Sequence, residues 1–240
     1  MTAYKLIYLA RRAATVARAD WPRTWRSHAI FASRFPVLEA RIDWMRYCNR
    51  IDDAEVAGMP GISTAHDGVS VASSPTLDAL NGGGFSKDER ALIDQDELRV
   101  FDRLTPDFSF FCTEQLLRNG PPLEIGVFRF VPRKPGMSRE AFAERWQGKH
   151  ADIAGEVADA LGNVNRYAQN LSIDQPPPDF PFDGISECWH ADLDQAVKAL
   201  GDPALALLTG DMAEFCDIDS SVTMLTRISH RWPKIWGASA

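Results

Sequence analysis

Two histidines stand inside apolar stripes of helical spacing. His150 falls between Trp146 and Ile153 in a stripe that also holds Phe142, Val157 and Leu161, and His28 falls between Trp25 and Ala32 on a face running from Trp21 to Phe35. An imidazole takes and returns a proton near neutral pH. A histidine turned inward is therefore either a core residue satisfied by one hydrogen bond or a general acid/base. The second group able to do chemistry is Glu187. In DGISECW (183–189), period-two alternation puts it on one face with Ile185 and Trp189, where a carboxylate is too costly to bury without a partner. Three placements would satisfy it: an exposed sheet edge, an ion pair with Arg166, or contact with His150. In the last case it orients the ring and raises its pKa, giving an acid/base pair suited to proton abstraction and loss of water.

Around these stand residues suited to holding a substrate. The hydroxyls of Tyr47 and Tyr167 could polarise a carbonyl or donate to a leaving hydroxyl, the alternative being cross-strand packing. Trp25, Trp146 and Trp189 belong to a set of seven tryptophans that suits the wall of a pocket for a flat apolar ligand as well as a plain core. His190 at the end of its strand and Asp217, which recurs as Asp102, complete the set, with capping as the competing role of the aspartates. His66 and His230 receive no role. No HExxH, clustered His and Cys, or GxxxxGK[ST] occurs, so neither a metal nor a nucleotide cofactor is expected. The glycines 82–84 lack the Lys and Ser/Thr of a phosphate loop and read as a flexible connection.

The elements that must position these groups follow in chain order. Strands are expected over 5–10, 42–51, 67–72 and 108–112, with a helix from Asp20 to Phe35, a short one from Ser74 to near Asn81, and a third opened by the capping box of Ser86 and Glu89. After the linker 119–122 the order restarts. A strand over 125–131 leads to the helix of His150, the strand after Arg166, a Pro-rich loop over 175–184 and the strand of DGISECW. A helix from about Leu193 and a strand over 222–226 follow. Pro176, Pro177, Pro178, Phe180 and Phe182 make that loop stiff and aromatic, either a pocket mouth or a plain connection, and the tail with Trp232 and Trp236 is expected to pack back on the domain or a neighbouring subunit.

The halves match residue by residue. His28 corresponds to His150, Arg46 and Tyr47 to Arg166 and Tyr167, DGVS to DGIS, Leu77 and Asp78 to Leu193 and Asp194, and Asp102 to Asp217, in order and at a nearly constant offset. The chain thus divides into an amino-terminal repeat, 1–118, and a carboxy-terminal repeat, 123–240, each βαββαβ. Such a unit is a ferredoxin-like α+β sheet with both helices on one face. Two tandem copies covering each other's open faces make a pseudo-dimeric α+β barrel.

At 240 residues with 45% hydrophobic content the chain can bury a substantial core, and its net charge of −7 offers no basic field to nucleic acid or to an anionic membrane. Two arginines follow the short apolar run at the start, the reverse of a secretory signal, so a cytoplasmic protein is expected. Cys48, Cys112, Cys188 and Cys216 lack CxxC spacing and read as reduced and mostly buried.

FVPRKPGMSREAFAERWQGKHADIA, NRYAQN, DGISECW and AEFCDIDSS together resemble the EthD family of the dimeric α+β barrel superfamily, with its WxxxH helix, RY(V)QN and DGxxExW strands and late aspartate. The second half fits nearly all of this pattern. In the first, Trp25 to His28 is one residue short, and Val71 and Ser73 replace Glu and Trp, which marks that copy as degenerate. The resemblance implies a cofactor-independent enzyme on a small apolar or aromatic substrate, first a lyase of dehydratase type with His150 and Glu187 as its pair. A monooxygenase or isomerase, or a non-catalytic accessory binding protein of a catabolic cluster, is the alternative, and a homodimer is left open.

Overall fold

The computed structural model describes residues 4–39, 42–52, 56, 59, 61–80 and 84–232. The first half supplies β1 (Tyr4–Ala10), helix α1 (Trp21–Ala32), β2 (Trp44–Arg50), β3 (Gly68–Ser74), helix α2 (Lys87–Val100) and β4 (Ser109–Arg118). The second supplies β5 (Ile125–Val131), helices α3 (Arg139–Gln147) and α4 (Lys149–Leu161), β6 (Arg166–Ser172), β7 (Gly184–His190), helices α5 (Leu193–Leu200) and α6 (Leu205–Met212), and β8 (Val222–Trp232). Four-residue helices Pro36–Glu39 and Leu77–Leu80 lie in the first half.

The strands close into one antiparallel barrel in the order β1-β3-β2-β8-β5-β7-β6-β4. Within each half the order is the same, and the halves join where β2 pairs with β8 and β4 with β6. Closure removes the free edges that two separate sheets would expose. It also explains why β4 and β8 run several residues past the expected ends: the extra residues pair with the other half, a partner invisible to local periodicity.

Alternation along the strands divides side chains between lumen and helix layer. Lys5 Nζ lies 2.6 Å from Glu187 Oε2 although β1 and β7 are not neighbours, so this pair meets across the lumen. Ile7, Val71, Phe128, Ile185 and Trp189 fill the rest of that interior, and Tyr8, Tyr47 and Tyr167 face the helices.

The DG at the start of β3 and of β7 has a structural role in both halves. Asp67 accepts from the backbone N–H of Arg12 at 2.9 Å and from its guanidinium at 2.6 Å, and Asp183 accepts from the same groups of Arg133. The glycine that follows makes room for an indole. A Cβ on Gly184 would lie 3.0 Å from Trp146 Cε2, and one on Gly68 would lie 2.7 Å from Cys48 O and 2.8 Å from Trp25 Cη2. Because backbone cannot yield as a side chain can, Gly68→Ala should cost about 1–3 kcal/mol and Gly184→Ala less, read as urea midpoints. Equal midpoints for both variants and the parent would refute this packing.

Trp25 and Trp146 thus occupy equivalent places despite their different spacing from the histidine. The extra residue of the second half is absorbed at Gly148, where the expected single helix breaks into α3 and α4. Likewise the helix expected from Leu193 is two, α5 and α6. All four cysteines are free thiols, three of them buried. No described helix is long and apolar enough to cross a membrane. Asn81, Gly82, Gly83 and Trp236 lie outside the described residues.

Candidate active site

Each half encloses a cavity between the outer face of its sheet strands and its helices. The first, of about 420 Å3, has apolar walls that include Val37, Leu38, Leu80, Phe85 and Ile93, with His28, Tyr8, Tyr47, Arg90 and Glu97 as polar groups. The second, of about 120 Å3, is bounded by Val157, Leu161 and Leu208 and carries His150, Arg129, Tyr167 and His190. The half whose family pattern is the poorer one therefore holds the larger chamber.

The two histidines are held alike. His28 on α1 donates from Nδ1 to Asp96 Oδ2 on α2 at 2.7 Å, and His150 on α4 donates from Nδ1 to Asp211 Oδ2 on α6 at 2.9 Å. A carboxylate only accepts, so Nδ1 carries the hydrogen, and in the neutral ring the free lone pair is on Nε2. Among the described residues neither Nε2 has a hydrogen-bond partner. An arginine braces each aspartate, Arg99 Nε at 2.8 Å from Asp96 and Arg145 on Asp211. Burial pushes the Asp96 carboxyl up, yet the bonds from His28 and Arg99 outweigh it and hold the group below its ordinary range. Burial pushes the His150 imidazole down more than Asp211 pulls it up, so the ring is kept neutral, the state a general base needs.

Glu187 does not meet His150. It faces the lumen, on the other side of the sheet, where it is fully buried and bound by Lys5, by Asn170 Nδ2 at 3.1 Å and by Trp189 Nε1 at 2.7 Å. Arg166, its other expected partner, instead pairs with Glu114 at 2.7 Å. Glu114 also contacts Lys5, so four charged groups form one network inside the barrel.

The remaining candidates divide. Tyr47 lines the first cavity, and Tyr167 and His190 line the second, where His190 Nδ1 donates to the Asn163 carbonyl at 3.0 Å. Burial raises both tyrosines above the ordinary phenol value, so they stay protonated donors. Trp25 and Trp146 pack over their glycines, Trp189 points into the lumen, and Asp217 caps the turn at Ser220, accepting from its Oγ at 2.7 Å; none of these four lines either cavity. The Pro-rich loop serves both sides. Asp174, Gln175 and Pro177 reach the first cavity from the second half, while Phe180 and Phe182 are buried against Phe130.

The aspartates of the two dyads are the groups that motif reading misses. The signal was present: the match of Asp102 to Asp217, carried back six residues, lays Asp96 on Asp211. Among the described residues no group of three or more His, Cys, Asp or Glu is placed to hold a metal ion.

One histidine outside the cavities makes a pH-dependent test. Burial, reinforced by Arg11, lowers His66 from 6.5 to about 4. Between these values the unfolded chain binds a proton that the folded chain refuses, so stability is complete above pH 6.5 and falls as the pH drops toward 4. His66→Asn should flatten that limb of a Tm-against-pH curve; an unaltered limb would contradict the assignment.

Residues 134–219 match the family model of the EthD domain. Over that segment the chain is similar to the EthD domain. The match takes in His150, Tyr167, Glu187 and Asp211, so most of the smaller cavity's lining falls in the matched segment and most of the larger cavity's lining precedes it. No curated protein matches the sequence. Among solved structures, an anthrone oxidase-like protein superposes with a TM-score of 0.61 at 9% identity, covering 99% of this chain and 96% of its own. A candidate monooxygenase of Fusobacterium nucleatum gives 0.54 at 9% identity, covering 96% and 93%. Another from Lactobacillus acidophilus gives 0.50 at 9%, covering 96% and 95%. At such identities the likeness is one of fold.

Proposed function

We propose that this chain is an acid/base enzyme that works without a cofactor and deprotonates an apolar cyclic or aromatic small molecule in the amino-terminal cavity. The observation that carries this reading is the His28–Asp96 dyad in the wall of an apolar chamber of about 420 Å3. His28 Nε2 takes a proton from a carbon beside a carbonyl, Asp96 stabilises the imidazolium, and Tyr47 donates to the carbonyl oxygen as negative charge gathers there. In a dehydratase the imidazolium then returns its proton to the hydroxyl that departs, so the C–O bond breaks as the new double bond forms and water leaves.

The order of strands and the matched Arg–Asp and Gly–Trp contacts support reading 1–118 and 123–240 as tandem ferredoxin-like repeats. On that reading the first repeat is not degenerate: it kept the dyad and enlarged the chamber.

A second reading, oxygenation of the same carbanion by O2, is favoured by the names of the structural neighbours, two candidate monooxygenases and an anthrone oxidase-like protein. Incubating the protein with a panel of hydroxylated polycyclic ketones, under air and under nitrogen, separates the two. Products lighter by one water in both atmospheres indicate dehydration, and oxygen-dependent products with oxygen uptake indicate oxygenation. A panel neither bound nor turned over would sink both.

A further inference from the structure

The two cavities differ in chemistry at one matched position on their strands. On β1, Tyr8 lies opposite Ser70 of β3, and on β5 the residue in the same register is Arg129, opposite Ser186 of β7. Tyr8 is neutral, and burial raises its pKa further from ionisation. Arg129 places a half-buried guanidinium in the wall of the smaller cavity, on the side that holds Tyr167 and His150.

Among the described residues Arg129 has no carboxylate partner. Its Nε is buried without a hydrogen bond, and its electrostatic neighbours are the Cys216 thiol and the Tyr167 phenol. The acidic group nearest in function, Asp211, already serves His150 and Arg145. A cation drawn into an apolar chamber without a counter-ion is costly, and a planar guanidinium is the side chain best shaped to take a carboxylate on two N–H groups. Aliphatic side chains make up much of the rest of the wall, with His150, Tyr167 and His190 among its polar groups.

We propose that the smaller cavity binds a small monocarboxylate with a short apolar tail, the carboxylate on Arg129 and the tail against Val157, Leu161 and Leu208. Duplication has then given one chain two chambers of opposite taste, a larger one for uncharged ring compounds and a smaller one for a small organic anion. The second assignment stands independently of catalysis in the first.

Calorimetric titration with isobutyrate and with its uncharged counterpart isobutyramide tests this. Isobutyrate should bind saturably and isobutyramide more weakly. Arg129→Met should weaken isobutyrate by roughly 10- to 100-fold while leaving isobutyramide little changed. Because Arg129→Met removes a charge that has no partner, its Tm should equal or exceed that of the parent. Should that variant fail to fold, Arg129→Lys, which keeps the charge and loses the fork, gives the same comparison with a smaller loss. Absence of isobutyrate binding, equal affinity for acid and amide, or isobutyrate binding undiminished by the substitution at Arg129 would each overturn the proposal.

Discussion

Replacing His28 by alanine should lower turnover by about 10²- to 10⁴-fold, the range that a positioned general base contributes, with the fold intact. The fold survives because His28 sits on α1 at the cavity wall, and its removal forfeits one hydrogen bond to Asp96 and one edge contact with Phe101. Asp96 is a positioning residue: it acts through the imidazole by fixing the hydrogen on Nδ1. Asp96→Asn presents an amide that no longer selects that tautomer, so kcat should fall with KM little changed, and the pH–rate profile should shift as the imidazolium loses its counter-ion. Asp96→Glu should restore part of the rate. A purely structural role would instead lower Tm and leave the pH profile of the surviving activity in place. If His150→Ala abolished turnover and His28→Ala spared it, the chemistry would belong to the smaller cavity and the proposal would fall.

The largest effect on stability should come from the lumen. Lys5 is fully buried and touches Glu187 and Glu114, and Glu114 is also paired with Arg166. Lys5→Met leaves Glu187 in the barrel with only the neutral donors Asn170 and Trp189, and stranding a buried charge in this way costs about 3–5 kcal/mol. Glu187→Gln should cost less, because Lys5 keeps Glu114. The double variant should recover part of the loss, and a cycle over the four proteins measures the coupling. Additive single effects would show that the pair contributes nothing as a pair.

The pH limits of this network follow from the same contacts. Burial opposes the charge on Lys5, but Glu187 and then Glu114 outweigh it and lift the ammonium above 10.5. Its contribution is therefore complete below about pH 10.5 and is lost as the pH rises through the folded value. Burial likewise opposes the charge on Glu114, and Lys5 with Arg166 hold it below 4.5, so that contribution is present above about pH 4.5 and is lost as the pH falls through the lowered value.

The sequence by itself determined the α+β class and the placement of His28 and His150 on helices turned toward the sheet, because period and residue type are local properties. It also placed Glu187 on one face with Ile185 and Trp189. It did not determine which face that was. In a closed barrel covered by helices most strands, β7 among them, are largely buried on both faces, so alternation separates the two sets of side chains without telling lumen from helix layer. Only the tertiary structure decided that Glu187 points inward to Lys5, a residue of the first strand, and that His150 finds Asp211 instead. The sizes of the two cavities were equally out of reach. They depend on how α1, α2 and a loop from the other half close over the sheet, which is a matter of packing among residues far apart in the chain.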